Sequence, residues 1–127
     1  MLIKDETEIV NLESPKPWSP LILQEKLEDL KIYSHQVLFQ FPKRERFILC
    51  AEIEKEINNL IHNTVRMEKK MYKKTTLQDI DIGVEYVKVL IRQSYQLKYI
   101  STKRFEIWIK KLVEIGRIVG GLIKKFA

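Results

Sequence analysis

The sequence predicts an all-α protein, an antiparallel up-down-up-down four-helix bundle, and three observations carry that expectation. Breakers are scarce: 4 Gly and 4 Pro occur in 127 residues, and three of the prolines crowd between positions 15 and 20, which leaves the rest of the chain free to form long helices. Apolar residues recur at steps of three and four, most clearly in Cys50, Ile53, Ile57, Leu60, Thr64, Met67 and Met71, the spacing of one helix face. The breaks between such runs are short, and short joints make neighbouring helices antiparallel.

Residues 1–18 mix acids with Pro15 and Pro17 and hold no sustained period, so they read as a flexible acidic N-terminal tail, with the bundle domain over residues 19–127. Ser19-Pro20 supplies an N-cap and a first-turn proline. Leu23, Leu27, Leu30, Ser34, Val37 and Phe41 then mark helix one, expected over residues 20–40. Helix two is expected to start at Pro42 or Lys43, with Phe47, Ile61 and Val65 widening its apolar face. Thr76 and Asp79 have the spacing of a capping box for helix three. Ile80, Val84, Val87, Ile91 and Ser94 are its buried side, flanked by Leu90 and Leu97. Ser101 or Thr102 caps helix four, where Phe105, Trp108, Ile109, Leu112, Ile115, Val119 and Leu122 point inward. The first joint is expected to span about two residues, the second a few after Tyr72, and the third two or three near Ile100.

Composition narrows the function. Cys50 is the sole cysteine, so no internal disulfide forms and a reducing cytoplasm is the expected setting. No uncharged apolar run of about 18 residues is present and the N-terminus lacks a basic-then-apolar signal pattern, so no membrane association is expected. His35, His62 and Cys50 have no metal-ligand spacing. Neither a nucleophile elbow nor a P-loop occurs. A binding module that needs no metal or cofactor is expected, and no enzyme.

Charge points to the partner. The net charge of +6 hides an asymmetry: residues 1–30 hold three lysines against seven acids, and residues 31–127 hold 20 cations against 10 acids. Opposite the seam of helix two lie Lys55, Asn59, His62, Arg66, Lys69 and Lys73, a stripe with no acid in it. On helix four, Lys103, Lys110, Arg117 and Lys124 recur every seven residues, one face over about 32 Å, with Arg104, Lys111 and Lys125 beside them. Helix three adds Lys88 and Arg92. Cations spread along a surface suit a phosphate backbone and carry no base information. Tyr72, Tyr86, Tyr95, Tyr99 and Trp18 are candidate base-stackers, although packing explains each of them as well.

Two further features stand out. Lys43, Arg44 and Arg46 crowd the expected start of helix two, where the free N–H groups attract anions and cations cost stability; a bound phosphate or an acidic partner surface suits them. Gly116 and Gly120, four apart on helix four, would let another backbone approach closely, inside the bundle or across a subunit contact.

The segments FPKRERFILC, YVKVLIRQSYQL and LVEIGRIVGGLIKK together resemble the accessory variability determinant (Avd) proteins of diversity-generating retroelements. These fall within the wider four-helix-bundle family encoded in ribosomal-RNA intervening sequences. The resemblance covers residues 20–125. Phe41, Pro42, Lys43, Arg46, Phe47 and Leu49 match the entry to helix two, Lys88 and Arg92 a pair of arginines on helix three, and Gly116, Arg117, Ile118 and Gly120 a stretch of helix four. Cys50 departs from the small residue of that family, and the acidic tail lies outside its pattern. The resemblance implies a basic homopentameric barrel that binds RNA or an RNA–DNA hybrid and a retroelement reverse transcriptase, and supports mutagenic copying of template RNA without chemistry of its own. The alternative is an intervening-sequence-type structural oligomer.

Overall fold

The computed structural model describes residues 19–126, so the tail read over residues 1–18 and Trp18 lie outside the described residues. Four helices follow in order: α1 Pro20–Leu38, α2 Leu49–Lys69, α3 Lys74–Gln96 and α4 Thr102–Lys125, with a 3-10 turn at Lys43–Glu45 between the first two. Among the described residues there is no strand. Each helix packs on the next and α4 returns to α1, so α2 and α4 stand at diagonal corners without direct contact. Paired positions run in opposite senses along each neighbouring couple. Lys26 meets Glu114 while Ser34 meets Trp108, and Leu60 meets Gly83 while Glu52 meets Tyr86. The chain is a four-helix bundle, as the spacing predicts.

The N-caps of α1 and α4 agree with the sequence reading. The Ser19 side chain accepts the Leu21 N–H at 3.2 Å with Pro20 in the first turn, and Ser101 accepts the Arg104 N–H at 3.2 Å. Two starts differ. α2 begins at Leu49, not at Pro42 or Lys43, because residues 43–45 close a 3-10 turn and Ile48 breaks from helical geometry at φ −117°, ψ −91°. Lys43, Arg44 and Arg46 therefore avoid the positive end of the α2 dipole, whose first turn holds Glu52 instead. α3 begins at Lys74 without a side-chain cap, and Thr76 is buried rather than capping. The first joint, residues 39–48, is much longer than the two residues expected, and the third, residues 97–101, slightly longer.

The predicted seams make the core. Leu23, Leu27, Leu30 and Val37 of α1 meet Ile53, Ile57, Leu60 and Met67 of α2, Ile80, Val84, Val87 and Ile91 of α3, and Trp108, Leu112, Ile115, Val119 and Leu122 of α4. Trp108 is 0% exposed, and its indole N–H donates to Ser34 Oγ at 2.8 Å. This bond satisfies the two polar groups that the seam would otherwise bury at a cost. Phe47, Val65, Met71 and Leu97 do not join the core. Phe47 stands 84% exposed because the late start of α2 leaves it on the turn.

The glycines divide in an unexpected way. A Cβ on Gly83 would lie 2.6 Å from Leu60 Cδ2, so this residue lets α3 close on α2. A Cβ on Gly116 meets only Lys88 Nζ at 3.9 Å, and one on Gly120 meets nothing within 4 Å. Among the described residues, neither Gly116 nor Gly120 marks a close approach between helices.

Two predictions follow from packing. In equilibrium denaturation, Gly120→Ala stabilises the isolated bundle by about 0.4–1 kcal/mol, whereas Gly83→Ala loses that gain to the displaced Leu60. Trp108→Phe removes the indole donor and leaves a void against Ser34. It destabilises the bundle by about 1–3 kcal/mol, seen as an earlier urea midpoint at an unchanged slope.

Candidate nucleic-acid interface

α4 is the basic helix. It carries seven cations against two acids, Glu106 and Glu114. Lys103, Lys110, Arg117 and Lys124 are exposed on the side away from the core, and none is ion-paired among the described residues. Glu106 lies between the first two. The cations on the α1 side of the helix are committed elsewhere. Lys111 donates to Asp29 at 2.8 Å and sits over the Tyr33 ring. The Arg104 guanidinium faces the Gln40 amide oxygen at 2.9 Å in the amide orientation that satisfies both groups. Asp29 of α1 thus neutralises Lys111, while the outward column keeps no ion pair among the described residues.

α3 extends this face. Lys88, half-buried, reaches across Gly116 and pairs with Glu85 at 3.1 Å, while Arg92, one turn on, is exposed and unpaired among the described residues. Arg92 is therefore the freer of the two for a ligand.

The α2 stripe is a different surface. Lys55, Asn59, His62, Arg66 and Lys69 are exposed as expected, yet the helix holds three cations against four acids, Glu52, Glu54, Glu56 and Glu68. It also stands diagonally across from α4, so the two stripes do not form one continuous face. Lys73 is drawn away altogether: its Nζ donates to the carbonyls of Met67 and Lys70 at 2.8 and 2.9 Å, closing the C-terminus of α2.

The basic turn is held in place by its single acid. Glu45 accepts the Tyr99 hydroxyl at 2.7 Å, Phe41 lies against Tyr99 and edge-on to Trp108, and Arg44 sits 6.0 Å over the Tyr99 ring. Anchored this way, the turn presents Lys43, Arg44 and Arg46 to solvent. Lys98, which the sequence reading passed over, joins this end of the bundle in the left-handed conformation at φ 65°. Its turn closes with Lys98 N–H to Tyr95 O at 2.9 Å and Tyr99 N–H to Ser94 O at 3.0 Å.

Of the candidate stackers, Tyr95 is occupied by Phe105, stacked at 4.4 Å, and Tyr99 by the contacts above. Tyr86 donates to Glu52 at 2.6 Å, and this bond holds its phenol above the ordinary range; Tyr72 is free at the α2–α3 joint. Cys50 is buried, and that burial pushes its thiol up. Among the described residues no group of three His, Cys, Asp or Glu could hold a metal ion, and no helix is long and apolar enough to cross a membrane.

One surface escaped the sequence reading: Ile82, Tyr86 and Val89, at steps of four and three, form an exposed apolar stripe on the outer side of α3. The spacing is visible in the sequence but lies beside a stronger core pattern of the same period.

No curated protein and no solved structure matches the chain. The family model described as bAvd-like matches residues 21–126, the whole bundle from α1 to the end of α4, and the chain belongs to that family, as expected of an Avd protein of diversity-generating retroelements.

Proposed function

We propose that the chain is a non-enzymatic accessory subunit of a retroelement reverse transcriptase. It works as a homopentamer and holds the backbone of template RNA, or of the RNA–DNA hybrid, during mutagenic complementary-DNA synthesis. Membership of an accessory-protein family supports the role. The observation that carries the binding mode is the column Lys103, Lys110, Arg117 and Lys124, unpaired among the described residues and broadened by Arg92. Exposed cations held by helices keep their spacing without being spent on internal pairs, which suits phosphates and not base edges. Lys55, Arg66 and Lys69 form a second, weaker contact at the opposite corner, and Lys43, Arg44 and Arg46 meet the polymerase. The exposed apolar side chains Ile82 and Val89 and the open side of Gly120, where an added Cβ meets nothing within 4 Å, support assembly.

Reversing Lys110 and Arg117 to Glu weakens binding of an RNA–DNA hybrid of any sequence. It also flattens the log–log salt dependence by roughly 1.4–1.8 units, two phosphate contacts' worth. The helical circular-dichroism signal stays as it was, because both side chains point to solvent. An unchanged slope refutes the interface. Reversal of Lys43, Arg44 and Arg46 abolishes co-purification of the reverse transcriptase and spares hybrid affinity; loss of both together assigns the turn to nucleic acid. Light scattering gives five times the monomer mass, and a monomer excludes the barrel.

A further inference from the structure

Where α1 runs into the 3-10 turn, a groove of about 370 Å³ opens between His35, Phe39, Phe41, Lys43, Arg46 and Cys50. Its floor is apolar, with Phe41 and Cys50 buried. Phe39 stands on its rim 78% exposed, edge-on to His35 at 5.1 Å. An aromatic of that exposure beside a groove is apolar surface that a partner would remove from water. The opposite rim is cationic: Lys43 and Arg46 are exposed and without an ion pair among the described residues. Glu54, the one acid lining the groove, already faces His35 at 3.8 Å. The groove suits a peptide that carries carboxylates and aliphatic side chains together.

The chain contains such a peptide. Residues 2–10 read LIKDETEIV, with Leu2, Ile3, Ile9 and Val10 around Asp5, Glu6 and Glu8. Reach selects this stretch. α1 has 19 residues, so Ser19 and Phe39 are separated by about 30 Å at 1.5 Å per residue. Ten residue steps from Ile9 to Ser19 span at most about 36 Å, and six from Glu13 about 22 Å. Glu8 and the residues before it reach the cationic rim of their own chain; Glu13 does not. We propose that Leu2–Val10 docks in this groove in cis, its carboxylates on Lys43 and Arg46 and its aliphatic side chains on Phe39 and Phe41. The docked segment screens the basic turn, so an acidic partner of that turn must displace it. This inference does not rest on the nucleic-acid reading, since its readout lies within the chain.

Zero-length carbodiimide coupling of the full-length protein, mapped by mass spectrometry, tests it. A mixture of isotopically light and heavy chains separates links within a chain from links between chains. The expected product joins Lys43 to Asp5, Glu6 or Glu8 of the same chain. Lys43→Glu with Arg46→Glu removes the link, and adding Asp5→Lys, Glu6→Lys and Glu8→Lys to that variant restores coupling between segment and turn. Glu13→Lys leaves the yield unchanged. Coupling of these acids to Lys103, Lys110 or Lys124, links found only between chains, or no rescue by the swapped charges overturns the proposal.

Discussion

The burial of Trp108 is the constraint on which most of this bundle depends. An indole withdrawn fully from water needs an acceptor for its N–H, and a seam of aliphatic residues offers none. Ser34, one position in the α1 seam, supplies it at 2.8 Å. The bond fixes the axial register of α1 against α4 more narrowly than apolar packing alone, because sliding by one turn would strand two buried polar groups. Tyr33 and Phe41 then pack edge-on to the indole at 6.4 Å each. Phe41 carries the constraint on to Tyr99, and Tyr99 to Glu45. A cationic turn that repels itself is therefore held by the aromatic core beneath it, through the one carboxylate in its sequence.

The charge distribution has a similar logic. α4 faces α1 on one flank, where Lys26 meets Glu114 and Asp29 meets Lys111. These pairs are largely exposed and contribute little stability. Their effect is spatial: Asp29 is spent on Lys111 and Glu114 on Lys26, so neither acid compensates the outward column. Such a column raises the local potential for anions and is screened within about 10 Å at 0.1 M salt. Any function that uses it depends on ionic strength.

How much of this was legible beforehand varies by element. The core of all four helices could be read from steps of three and four, since burial of one helix face imposes that period regardless of partner. The Ser19 and Ser101 caps were legible because capping is local chemistry. The start of α2 was not. Pro42 marks a helix entry equally well for a one-turn 3-10 segment, and the cations that follow it are disfavoured at an α-helix N-terminus. Thr76 matched a capping spacing but is needed inside the bundle, where burial wins over a local hydrogen bond.

The sequence by itself determined the helices, the buried faces, the excess of positive charge and the absence of a recognisable catalytic motif, because each of these depends on residue type and spacing along one chain. Only the tertiary structure decided which cations are free. Lys111 and Arg104 look like Lys110 and Arg117 in sequence, and are set apart by a carboxylate or an amide brought to them by another segment, whereas Lys73 and Lys88 are held by carbonyls or a carboxylate three to six residues away along the chain. It also decided that the stripes of α2 and α4 stand at opposite corners, and that Gly83, not Gly116 or Gly120, is the close approach between helices. Periodicity fixes where a side chain lies around its own axis; what it meets there depends on the neighbours that packing selects.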